Sequence, residues 1–254
     1  MLNDLLLLSG NDIPFSAAEI TVHVPTIKEI GLIGEELFFM GIQFLNFSKD
    51  NLVDVDQREM QQFSDFQILM SIATNNDLNV RTSRAAAEMV LTLLFPEYKI
   101  TFLPIAIALF KDEKNYFINQ DNFDEFKEIL TQVFCLTDIF GQQVQPSYNP
   151  GNAVAERLAK QFERYHKKIK EIKSQSTDGQ KVSILSRYIS ILAVGEHKDI
   201  NSLVNYTIYQ LFDEFTRFNL KQQSDMYIQA KMAGAKDLQE VENWMKDIHS
   251  NSDD

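Results

Sequence analysis

The chain has 254 residues, 44% of them hydrophobic and 24% charged, a balance that suits one large or two small folded domains and excludes disorder throughout. A formal net charge of −12 sets the average surface against a phosphate backbone, so general nucleic-acid binding is not expected. Cys135 is the single cysteine, which rules out a disulfide within the chain.

Glycine (9) and proline (6) are sparse, which favours long helices over a many-stranded sandwich. The first 24 residues read as short strands. Leu5–Leu8 is one, followed by the turn cluster Ser9-Gly10-Asn11-Asp12 and by Ile13-Pro14-Phe15, where Pro14 points to an edge. Ile20, Val22 and Val24 alternate with Thr21 and His23, the period of a half-buried strand. A helix then opens at Pro25-Thr26-Ile27-Lys28-Glu29, where Thr26 and Glu29 make a capping box, and apolar spacing carries it to about Leu45. Two more helices are expected, from Glu59 to Ala73 and from Ser83 to Leu94, the latter stopped by Pro96.

Tyr98-Lys-Ile-Thr-Phe-Leu-Pro, Ile105–Phe110 and Asn115–Ile118 read as three strands, with a turn at Asp112-Glu113-Lys114 between the last two. A helix starts at Asn122 with acids in its first turn. Gly141–Gly151, with Pro146 and Pro150, has linker composition. From Ala153 to Lys173 a heptad seam runs through Ala155, Leu158, Phe162, Tyr165, Ile169 and Ile172. Seven basic residues (Arg157, Lys160, Arg164, Lys167, Lys168, Lys170, Lys173) and three acids (Glu156, Glu163, Glu171) give residues 155–173 a charge of +4 and the rest −16. The C-terminal third predicts helices over Ile184–Val194, from Asp199 through Phe218, and from Gln222 to Ala233 with Gly234 as cap. A short helix over Leu238–Ile248 precedes a mobile polar tail.

These elements predict a mainly α fold: a helical, bundle-like protein with a small N-terminal β-hairpin or strand element and a small central α+β insert. The expected organisation is N-terminal strands plus helices over 1–95, the insert over 96–145, and a C-terminal helical domain over 151–249. That last domain carries the arm 153–173, and residues 250–254 form the tail.

Nothing in the spacing assembles a reacting centre, so an enzyme is not expected and no cofactor or metal is assigned. Gly31-Leu-Ile-Gly34 lacks the other glycines and the lysine of a phosphate loop, and reads as close helix packing. His23, His166, His197 and His249 are isolated, without the i, i+4 pairing of a helical metal site. Glu196-His197-Lys198-Asp199 flanks an imidazole with carboxylates, but polar loops between helices commonly do so. Asp50, Asp54, Asp56 and Glu59 lack the central glycine and register of a calcium loop. The residues expected to meet a partner are Leu158, Phe162, Tyr165 and Ile169 on the arm, and Trp244 with Met245 near the end.

Two blocks carry a family resemblance. Ser9-Gly-Asn-Asp-Ile-Pro with Val24-Pro-Thr-Ile-Lys-Glu-Ile-Gly-Leu-Ile-Gly-Glu35 resembles the start of proteins from tail-gene clusters of long-tailed bacteriophages. Tyr206-Thr-Ile-Tyr-Gln-Leu-Phe-Asp-Glu-Phe215, with Ala233-Gly-Ala-Lys236 and Glu242-Asn-Trp-Met-Lys-Asp-Ile-His249, is similar to their ends. The resemblance implies a tail assembly chaperone or related morphogenesis factor that binds tape measure or tail tube proteins in the host cytoplasm. Alternatives are a structural tail or baseplate protein of the virion and, further off, a nucleic-acid-binding regulator using the basic helix 155–173. Self-association through the heptad helix is a further expectation, and no membrane partner is expected: the N-terminus carries Asp4 where a signal peptide needs basic residues, and no segment approaches a span of ~18 apolar residues.

Overall fold

The structure, a computed structural model, describes residues 2–49, 62–74, 78–136, 183–234 and 243–245; residues 78–80 are described by their backbone alone. The chain divides into two compact units: Met1–Phe140 with Val204–Gln210, and Gly141–Leu203 with Leu211–Asp254.

The first unit opens with a short helix, α1 (Asp4–Ser9), where a strand was expected at Leu5–Leu8. The reason lies at its ends. The Asn3 side chain accepts the Leu5 amide (2.9 Å), and Gly10, at φ 67°, closes the helix in a left-handed conformation. An unbroken leucine run has no alternation to resist that choice. Strands β1 (Ile13–Phe15) and β2 (Ile20–Val22) form an antiparallel pair with Pro14 opposite Thr21. Ile13, Phe15, Ile20 and Val22 turn inward and are buried. The 3-10 turn between them, Ser16–Ala18, directs the Ser16 and Ala17 amides (3.0 and 3.3 Å) onto the Glu125 carboxylate.

Helices α2 (Ile27–Ile33) and α3 (Glu35–Leu45) replace the single helix expected to Leu45. Gly34 sits at φ 88° and ψ 135°, a conformation that breaks the helix and is open to glycine at little cost. Close helix packing, expected of Gly31 and Gly34, falls instead to Gly41 in α3. A Cβ added there would lie 2.6 Å from both the Ala86 carbonyl oxygen and Val90 Cγ2, whereas one on Gly31 or Gly34 would meet nothing within 4 Å. Those neighbours belong to α5 (Leu78–Leu94), which follows α4 (Asp65–Ala73). Ser64 and Gln67 form a capping box at the start of α4.

Strands β3 (Lys99–Leu103), β4 (Ala106–Lys111) and β5 (Lys114–Ile118) form an antiparallel meander in that order, and α6 (Phe123–Val133) follows. Ala106, Ile107, Ala108 and Leu109 of the central strand are all buried. The aromatic core joins β1, α6 and the residue that follows α5: Phe126 stacks on Phe15 (5.7 Å between centroids) and on Phe95 (6.2 Å).

The mainly α, bundle-like expectation is therefore corrected to a mixed α/β fold: the described residues hold two small antiparallel sheets among their helices. Scarcity of glycine was the misleading signal. The β4–β5 turn uses Asp112 at φ 52°, a short polar side chain in a place where glycine is the usual choice.

The second unit contains α7 (Ile184–Gly195), α8 (Ile200–Leu203) and the greater part of α9 (Ile208–Met232), from Leu211 onward. Two helices were expected where α9 runs unbroken from Ile208 to Met232, and Gly234 follows at φ 85°. Tyr188 stacks on Phe215 (4.0 Å, 18° between planes) and meets Phe212 edge-on (5.0 Å), and its burial pushes the phenol pKa to about 12. Gly195 abuts Phe218, whose ring would lie 2.4 Å from an added Cβ.

Candidate functional site

Large apolar side chains are exposed in both units: Leu5, Leu32, Phe63 and Ile105 in the first, and Val194, Ile200, Ile228, Met232, Trp244 and Met245 in the second. On α9, Ile228 (50% exposed) and Met232 (84%) are four residues apart, so they share a face. Trp244 (37%) and Met245 (68%) are also exposed, and Asn243–Met245 are not helical. Four of the expected contact residues, Leu158, Phe162, Tyr165 and Ile169, lie outside the described residues, as do the basic helix 155–173 and the acids Asp50, Asp54, Asp56 and Glu59.

In the polar loop Glu196–Asp199 the lysine charge is paired locally. Lys198 is ion-paired with Glu196 (3.5 Å) and with Glu214, and His197 takes a left-handed backbone conformation, φ 57°. Asp213, almost buried, holds Arg217 Nε at 3.3 Å one turn along α9.

In the first unit, a connected polar junction brings the N-terminal block together with Val204–Gln210. It begins at His23, whose Nδ1 lies 2.8 Å from Asp12 and whose Nε2 lies 3.4 Å from Glu29. Each ring nitrogen thus faces a carboxylate oxygen. Glu29 accepts the Thr26 amide and hydroxyl (both 2.8 Å), while Thr26 Oγ1 accepts the Glu29 amide (3.3 Å). Burial pushes the Glu29 carboxyl up, but the Thr26 hydrogen bonds and the neighbouring His23 outweigh it, and its pKa falls below the ordinary glutamate value.

The remaining amides in the first turn of α2 are met from far along the chain. Ile27 donates to the Tyr206 carbonyl and Lys28 to the Val204 carbonyl, each at 2.8 Å, and Thr26 forms an antiparallel bridge with Thr207. All the backbone donors that a helix N-terminus leaves open are thereby occupied. Thr207 in turn caps α9 by the same device. Its amide donates to Gln210 Oε1 (2.9 Å), and its Oγ1 accepts the Gln210 amide (3.2 Å). Gln210 Nε2 then donates to the Leu8 carbonyl (2.7 Å) at the end of α1. Thr207 is 2% exposed, and Ile208 and Tyr209 are buried beside it.

This second capping box was missed in the sequence, although Thr207-Ile-Tyr-Gln210 repeats the pattern of Thr26-Ile-Lys-Glu29. The signal was present in the S/T-x-x-E/Q spacing. It was obscured by reading one helix from Asp199 onward. The junction ties α1, α2 and α9 together through hydrogen bonds. Among the described residues no three His, Cys, Asp or Glu side chains are grouped to hold a metal ion. No described helix is long and apolar enough to cross a membrane.

The family model of the YomV second domain matches residues 177–249. It links that part of the chain to phage-derived proteins. The matched stretch contains α7, α8, α9 and the exposed pairs Ile228–Met232 and Trp244–Met245. No curated protein and no solved structure matches the chain.

Proposed function

We propose that the protein is a non-enzymatic binding factor in bacteriophage tail assembly, a chaperone that shields apolar helical surface on tape measure or tail tube proteins before they polymerise. The observation that carries this reading is that, among the described residues, six large apolar side chains, Val194, Ile200, Ile228, Met232, Trp244 and Met245, are exposed within the segment matched by a phage-linked family, the last four toward its C-terminal end. Methionine adapts to irregular partner surfaces, and tryptophan is a frequent anchor at protein interfaces. Helical partners that expose apolar stripes aggregate unless such stripes are covered. The net charge of −12 keeps a carrier of this kind soluble while an apolar patch remains open. The resemblance of the two terminal blocks to tail-cluster proteins points the same way.

Co-expression with the neighbouring tail proteins tests the reading. A soluble complex with a tape measure or tail tube protein is the expected result; recovery of the folded chain alone from every pairing overturns it. Mass spectrometry of purified particles distinguishes a chaperone, which is absent from them, from a tail or baseplate subunit, which is present in stoichiometric amount.

A further inference from the structure

We propose that Val204–Gln210 is a strap that couples the start of α9 to the N-terminal unit, so that loosening either capping box loosens the other. The strap is built into the first unit although the chain on both sides of it belongs to the second. It supplies three groups that the first 140 residues leave open: the Tyr206 and Val204 carbonyls for the Ile27 and Lys28 amides, and the Gln210 side-chain amide for the Leu8 carbonyl. It therefore completes the end of α1 and the beginning of α2 together.

Burial makes these bonds consequential. Thr207, Ile208 and Tyr209 have almost no exposed surface, so backbone groups released there do not regain water as partners without opening the local structure. Gly10 fixes how closely the strap approaches: a Cβ on it would lie 3.0 Å from Gln210 Nε2 and 3.3 Å from Thr207 Cγ2. The two capping boxes meet at the Thr26–Thr207 bridge, and the Val204 and Tyr206 carbonyls that satisfy the start of α2 lie directly before the Thr207–Gln210 box that starts α9. From Gln210 the same helix continues into Leu211 of the second unit. The strap also runs against the family boundary: residues 204–210 lie inside the matched segment 177–249 but are spent on completing the first unit.

Reciprocity is the test, read by amide hydrogen exchange on the full chain under native conditions. Glu29→Ala removes the box at α2, and Gln210→Ala removes the box at α9 together with the Leu8 bond. The expected result is that Glu29→Ala speeds exchange at Leu211 and Phe212 by about tenfold, the effect of one lost cap, and Gln210→Ala does the same at Ile27 and Lys28. Amides of the buried strand β4 stay protected in both. Glu29→Gln, which keeps a side chain able to close the box, restores protection at Leu211. Acceleration confined to the mutated helix overturns the proposal, and so does acceleration that includes β4, since the strap would then only share in global unfolding.

Discussion

Two places in the first unit join elements that are distant in sequence, and they do so by opposite means. At the crossing of α3 and α5, Gly41 lets two helices approach until its backbone meets the Ala86 backbone and the Val90 side chain. At the junction of α2 and α9, contact is made by hydrogen bonds that satisfy helix ends. The first contact depends on volume and tolerates no addition. The second depends on donor and acceptor identity and tolerates no deletion. A fold that uses both is vulnerable to different substitutions in different places, and a ranking of their effects separates the two mechanisms.

The largest effect is expected at the crossing. Gly41→Val forces atoms into space held by the Ala86 backbone, which has no rotamer to yield, and should destabilise the protein by about 3 kcal/mol or more in denaturant unfolding. At the junction, Thr207→Val keeps the volume and removes the cap. It should cost about 1–2 kcal/mol, and an effect at Gly41 no larger than this would erase the distinction.

Acid should act on polar ties and spare the crossing. Glu29 and Asp65 are both held below the ordinary carboxyl range. In Asp65, as in Glu29, burial pushes upward but is outweighed, here by hydrogen bonds from Lys127 Nζ (2.7 Å) and the Lys49 amide (3.2 Å). A folded-state pKa that is depressed adds stability above the unfolded value, and that stability is lost as pH falls through the folded value. The wild-type protein should therefore lose stability below the ordinary carboxyl range, and Glu29→Gln should flatten part of that limb, as followed by thermal midpoint against pH. His23→Gln is expected to have the smallest effect, below about 1 kcal/mol, because its two carboxylate contacts are partly open to solvent.

Local chemistry was readable from the sequence where a signal and its effect sit within a few residues. The Thr26–Glu29 capping box, the β1–β2 pair, the three strands of the meander and the cap at Gly234 all follow from short patterns. What failed depended on tertiary context or on a cue with two meanings. Leu5–Leu8 became helical through caps at either end, Asp112 took a turn position usually left to glycine, and Gly34 broke a helix that its apolar spacing continued. The strap could not be foreseen from spacing, because its acceptors and donors are about 180 residues apart. Of the residues expected to meet a partner, Trp244 and Met245 are exposed, and so are Ile228 and Met232, which lie in a stretch read only as helix. Exposure depends on what packs alongside, which a periodic pattern does not specify.

The most direct measurement is co-purification of the tail-protein complex with the double variant Ile228→Glu, Met232→Glu, alongside its thermal midpoint. Both side chains project from the surface, so the midpoint should hold while the complex is lost. A variant that binds its partner as tightly as the wild type would contradict the claim that this face does the binding.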